Sequence, residues 1–107
     1  MTPERLPGHP HLAYRGDALH LEEVALDALA ERFGTPLFVY SKAAMLQALA
    51  AYQRGFAGRD ARVCYAMKAN SSLAILQLFA RAGCGFDIVS GGELQRALAA
   101  GADPATI

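Results

Sequence analysis

From Leu37 onward the sequence repeats one pattern three times: a short apolar run of β-forming residues, then a stretch in which apolar residues recur every three to four positions. The runs are Leu37-Phe38-Val39-Tyr40, Val63-Cys64-Tyr65-Ala66-Met67 and Phe86-Asp87-Ile88-Val89. The periodic stretches carry Met45, Leu46, Leu49 and Tyr52, then Ile75, Leu76, Phe79 and Ala82, then Leu94, Ala97 and Leu98. Short β-rich runs read as strands and the three-to-four spacing reads as helix. Strands alternating with helices over short loops build right-handed βαβ units around a parallel sheet, so the expected class is α/β. Periodicity leaves a closed barrel and an open sheet both possible. An eight-stranded barrel takes at least ~200 residues, so 107 residues could hold only its opening portion.

Helix punctuation agrees with this division. Ser41 is placed to cap the first helix, Asn70-Ser71-Ser72 the second, and Ser90-Gly91-Gly92-Glu93 has the Ser-x-x-Glu form of a capping box opening the third. Gly83 and Gly101 follow the last periodic residues as C-terminal stops, and Asp103-Pro104 looks like one further N-cap with proline at the first helical position. Upstream, residues 1–13 hold three prolines, a glycine and two histidines without periodicity and are expected to be an irregular lead-in. Gly16-Asp17 lies between short alternating stretches, a weak hairpin signal. A helix is expected from Val24 through Leu26, Leu29, Ala30 and Phe33, stopped by Gly34, with Thr35-Pro36 breaking the chain.

Ten basic residues balance ten acidic ones without a block of like charge, which argues against a nucleic-acid-binding stripe. No stretch reaches the roughly 18 apolar residues of a membrane span, and the start lacks a charged head followed by an apolar run. A cytoplasmic protein is the expectation. Cys64 and Cys84 lack metal-ligand spacing and have no histidine near them, since His9, His11 and His20 all fall in the first twenty residues. They read as reduced structural thiols.

Only two lysines stand against eight arginines. Lys42 opens a helix, where solvent is its natural place. Lys68 follows an apolar strand, at the C-terminal edge of a parallel sheet where α/β folds gather ligands and catalytic groups. Strand alternation places Cys64, Ala66 and Lys68 on one face and the bulkier Val63, Tyr65 and Met67 on the other. The same rule places Asp87 with Gly85 and Val89 on the face of Lys68. Two readings stay open on spacing alone. In one, Lys68 and Asp87 compensate each other at the rim of a core, or the lysine snorkels to water. In the other, Lys68 is an amine kept in a dry pocket for Schiff-base chemistry. Ser71, Ser72 and Ser90 have no histidine nearby, and Gly91-Gly92 lacks a dinucleotide or Walker spacing, so neither competes as a nucleophile or phosphate motif.

Tyr65-Ala66-Met67-Lys68-Ala69-Asn70, followed by Gly85-Phe86-Asp87-Ile88-Val89-Ser90-Gly91-Gly92-Glu93-Leu94, resembles the N-terminal region of the pyridoxal-phosphate enzymes built on an alanine-racemase-like barrel. Phe33-Gly34-Thr35-Pro36-Leu37-Phe38-Val39-Tyr40-Ser41 and the ending Ala99 to Ile107 extend the match, which runs from about Tyr14 to the last residue and is nearest to the diaminopimelate decarboxylase branch. The resemblance implies that Lys68 holds pyridoxal 5'-phosphate, that Asp87 lies close to that lysine, and that Ala66 lines the cofactor pocket. Glu93 aligns with an acidic residue near the site in related decarboxylases, although its capping-box position accounts for it without catalysis; Ser90 is in the same position. The Asn-Ser-Ser after Lys68-Ala69 departs from the Tyr-Gly of racemases.

The implied fold is the opening of a parallel (β/α)8 TIM-type barrel. Residues 1–35 would be an N-terminal segment, part of a β-domain plus a helix, and residues 36–107 the first βα units of the cofactor-binding barrel of a truncated chain. The implied activity is decarboxylation of meso-2,6-diaminopimelate to L-lysine and carbon dioxide by a full-length homodimer, with the piece alone inactive. A decarboxylase of the ornithine or arginine type, or a non-catalytic carrier of the cofactor, is the alternative.

Overall fold

The structure is a computed structural model that describes residues 4–6 and 8–107. It divides into two compact units, Met1–Met45 and Leu46–Ile107.

The first unit is an antiparallel sheet followed by a helix. Strands β1 (Glu4–Leu6), β2 (His9–Arg15), β3 (Ala18–Leu21) and β4 (Val24–Ala25) pair in sequence order. The lead-in is therefore not irregular where it is described: β1 and β2 form a hairpin with a register shift between Arg5 and Leu6. Residues 1–3 and 7 lie outside the described residues. His9-Pro10-His11 hides the alternation, and Pro10 is tolerated because it falls near the start of its strand. The Gly16-Asp17 turn is borne out, with Arg15 opposite Ala18 and Gly16 at φ 64. A positive φ at the first central residue only is the pattern of a II′ hairpin turn, which matches the strands' own twist.

Helix α1 (Leu26–Phe33) starts two residues later than expected. Val24 and Ala25 instead pair with Leu21 and His20, so ladder bonds take them from the helix. Gly34, at φ 79, donates its N–H to the Ala30 carbonyl and stops the helix. The expected strand at 37–40 is a correction: the segment has no ladder partner among the described residues, and all four side chains are exposed. Propensity for strand is propensity to fit a neighbouring surface, and without one it does not express itself. Ser41 caps as expected. It is buried, and its Oγ accepts from the Ala44 N–H at 3.0 Å where α2 (Lys42–Gly55) begins.

The second unit holds most of α2, then β5 (Cys64–Ala66), a 3₁₀ turn (Met67–Ala69), α3 (Leu73–Arg81), β6 (Gly85–Asp87), α4 (Gly91–Ala99) and a closing 3₁₀ turn (Pro104–Thr106). β5 and β6 are parallel, joined through α3, which is the βαβ connection the alternation predicts. Both strands are shorter than their apolar runs: Val63, Met67, Ile88 and Val89 fall outside them. Met67, Leu76 and Phe86 are fully buried and form the centre of this unit with Ile75, Phe79, Cys84 and Ala97. The Tyr65 ring packs on Phe79 at 4.7 Å between centroids and meets Phe86 edge-on at 6.4 Å. Such aromatic pairs add to the area they bury. Gly85 is required by close approach: a Cβ there would come within 2.7 Å of the Thr106 carbonyl oxygen and 2.8 Å of Cys64 Sγ.

Candidate active site

The register of the parallel pair sets the site. Tyr65 lies opposite Phe86 and Ala66 opposite Asp87. Because side chains alternate, Tyr65 and Phe86 share the face that packs on α3, leaving Cys64, Ala66 and Asp87 on the other. The expected division into a bulky and a small face is borne out as far as Ala66.

Beyond Ala66 the geometry changes. The chain enters the 3₁₀ turn, whose repeat is three residues, so the two-residue alternation no longer assigns faces. Met67 is 1% exposed while Lys68 is exposed. Of the readings left open by spacing, the dry pocket and the pairing with Asp87 are both corrected, and a lysine that reaches to water is what this structure shows: both side chains are exposed, and among the described residues no ion pair or hydrogen bond joins them. The period change places Lys68 just past the C-terminal end of β5 and leaves its amine free.

The turn itself is held from three directions. The Tyr65 hydroxyl, on β5, donates to the Asn70 backbone carbonyl at 2.7 Å. Asn70 Oδ1 accepts from the Ser72 N–H at 2.9 Å, setting the start of α3, where Ser72 caps by position and not through its hydroxyl. From α4, Arg96 Nε donates to the Ser71 carbonyl at 2.9 Å. The Asn70 bond is of the local kind that the capping signal at Asn70-Ser71-Ser72 offers, whereas the Tyr65 and Arg96 bonds to backbone carbonyls were not legible, because their acceptors carry no residue signature.

Ser90 and Glu93 perform the structural task their spacing suggests. Ser90 Oγ accepts from the Glu93 N–H at 3.1 Å, and Glu93 Oε1 accepts from the Val89 N–H at 2.8 Å, one residue before the usual partner of a capping box. Cys64 and Cys84 are both free thiols. Cys84 is buried and donates to the Gly85 and Val63 carbonyls. Burial raises its pKa above the ordinary 9.0, the backbone of Tyr65 pulls it back, and the charge of Cys64 adds to the rise. Among the described residues no cluster of three or more His, Cys, Asp or Glu could hold a metal, and no helix is long and apolar enough to cross a membrane. A cavity of about 540 Å³ lies in the first unit against Leu12, Leu21, Leu26, Leu37 and Tyr40. Its apolar walls carry none of Lys68, Ala66 and Asp87, so the chemistry and not the concavity locates the site.

An amine just past the carboxyl end of a parallel strand lies where α/β sheets gather their ligands. Residues 42–107 match the family model described as "Pyridoxal-dependent decarboxylase, pyridoxal binding domain", and the chain belongs to that family. Among curated proteins it is 54% identical to the diaminopimelate decarboxylase of Pseudomonas aeruginosa over 95 residues, 89% of this chain and 23% of that protein. With the diaminopimelate decarboxylase of Neisseria meningitidis serogroup B it shares 56% identity over 87 residues, 81% of this chain and 21% of the relative. Among solved structures, diaminopimelate decarboxylase from M. jannaschii superposes with a TM-score of 0.82 at 36% identity, covering 89% of this chain and 23% of that one. The Helicobacter pylori diaminopimelate decarboxylase complexed with L-lysine gives 0.72 at 43% identity, covering 76% and 21%. The chain thus spans less than a quarter of the length of these relatives.

The residues present fit the cofactor in the family's description. Lys68 offers a primary amine with no hydrogen-bond or ion-pair partner among the described residues, in the turn that directly follows Ala66, and Ala66 stands opposite Asp87 at the ends of the two parallel strands.

Proposed function

We propose that the full-length protein is a pyridoxal-phosphate-dependent decarboxylase that converts meso-2,6-diaminopimelate to L-lysine and carbon dioxide. The observation that carries the reading is the position of Lys68: a free amine just past the end of β5, in a segment that matches a pyridoxal-binding family throughout. The names of the relatives, and the L-lysine bound to one of them, support the substrate and product.

In this reading Lys68 holds the cofactor through Nζ, which must lose a proton to act as a nucleophile. Ala66, the small residue that precedes the turn, leaves room at the end of β5, and Asp87 stands opposite Ala66 on β6. When bound, pyridoxal phosphate supplies the electron sink for the pair left by departing carbon dioxide. The protein's part is to orient the amine and keep the face clear. Residues 1–35 would then belong with a β-domain, a reading supported by the antiparallel sheet of β1 to β4. Residues 36–107 would open a (β/α)8 barrel, supported by the parallel pair β5 and β6. The resemblance implies, in addition, a homodimer.

Lys68→Ala in the full-length protein is expected to abolish carbon dioxide release from diaminopimelate and to remove the borohydride-fixed cofactor adduct. Parent-level release from the variant would overturn the assignment. Ornithine or arginine turned over in place of diaminopimelate would move the substrate to the alternative branch, and an adduct without gas release from any of them would make the protein a carrier.

A further inference from the structure

We propose that Tyr65 is a positioning residue for Lys68, acting through its hydroxyl and not through its ring; the proposal rests on the reading of Lys68 as the cofactor lysine. The ring and the hydroxyl of Tyr65 do separable jobs. The ring is fixed between Phe79 of α3 and Phe86 of β6, so its orientation is set by the centre of the second unit. The hydroxyl projects from that anchored ring to the Asn70 carbonyl at 2.7 Å, a full-strength O–H···O distance. Between residues 65 and 70 lie only Ala66, the 3₁₀ turn with Lys68 at its centre, and the Asn70 corner. The bond therefore closes the loop from Tyr65 to Asn70, whose apex carries the amine.

Loop closure is what the exposed lysine needs. Its own side chain makes no hydrogen bond or ion pair among the described residues that would orient it, so the backbone beneath does most to restrict where the amine can reach. One end of that backbone is fixed by β5. Asn70 fixes the other by a chain of bonds: its carbonyl takes the Tyr65 hydroxyl, while its side chain takes the Ser72 N–H. Met67, buried beneath the turn, prevents rotation of the whole segment. Removing the hydroxyl would free the Asn70 end while leaving Met67, the aromatic packing and α3 in place.

The test uses Tyr65→Phe in the full-length protein, which keeps the ring and deletes only the donor. Two quantities are read: amide hydrogen exchange across Lys68–Ser71, and the pyridoxal phosphate concentration that gives half-maximal borohydride-fixed labelling of Lys68, located by peptide mass. Loss of one neutral hydrogen bond corresponds to about fivefold to tenfold in an equilibrium. Exchange across the turn is expected to rise by that factor while the amides of Leu76 and Phe79 stay protected, and the half-labelling concentration to rise by a similar factor. In turnover, kcat should fall further than KM rises, because the amine is displaced while the substrate's own contacts are kept. A purely structural tyrosine would instead lower the melting temperature and loosen α3 along with the turn. Parent-like exchange and labelling in Tyr65→Phe would overturn the proposal. No adduct on Lys68 in the parent protein would overturn the cofactor reading itself, a result distinguishable because the parent and not the variant fails.

Discussion

Cys84 sits where a thiol is least able to ionise. It is buried, its Sγ–H is committed to two backbone carbonyls, and burial raises its pKa above 9.0. A group whose folded pKa is raised contributes stability that is fully present below the unfolded value and is lost as pH rises through the folded one. Stability is therefore expected to decline above about pH 9 as the unfolded chain ionises first, and Cys84→Ala should flatten that decline in denaturant titrations. Exposed Cys64 should take up iodoacetamide at pH 8 well before Cys84, with modified peptides resolved by mass. The sequence showed that these cysteines lack partners. Which of the two is buried follows from the strand register, which composition does not encode.

At the level of elements, capping was the most legible layer because a cap is a local exchange between residues two or three apart. Ser41, Ser90 and Asp103 all accept the backbone bonds that their spacing implies. Ser90→Ala is expected to cost about 1 kcal/mol, checked by thermal unfolding, with the loss concentrated in the amides at the start of α4. Strand extent was legible only in part. Apolar runs of four or five residues became strands of three, and Leu37–Tyr40 became none, because a ladder ends where its neighbour does. The candidate site divides in the same way. Ala66 and Asp87 stand opposite each other as alternation requires, whereas the exposure of Lys68 depends on a helical turn that nothing in Met-Lys-Ala signals.

For the whole molecule, the described surface carries large apolar side chains that a self-sufficient domain would cover. Phe38 is 85% exposed, Val89 81% and Phe33 62%. The two-stranded parallel sheet leaves an outer edge of each strand without a ladder partner among the described residues. Such unpaired edges drive self-association. Prepared alone, the 107-residue chain is expected to scatter light at concentrations where the full-length protein does not, and Phe38→Ser should reduce the scattering.

The turn at Met67–Ala69 also dictates where the chain can tolerate a change of length. Each residue added to a 3₁₀ segment rotates the downstream backbone by about 120°, so one insertion between Ala66 and Met67 would carry the methionine into the outward slot of Lys68 and the amine one slot further on. The loop from Phe56 to Asp60 has no such duty and could absorb spare residues. Spacing, as much as side-chain identity, is what natural variation at this corner has to preserve.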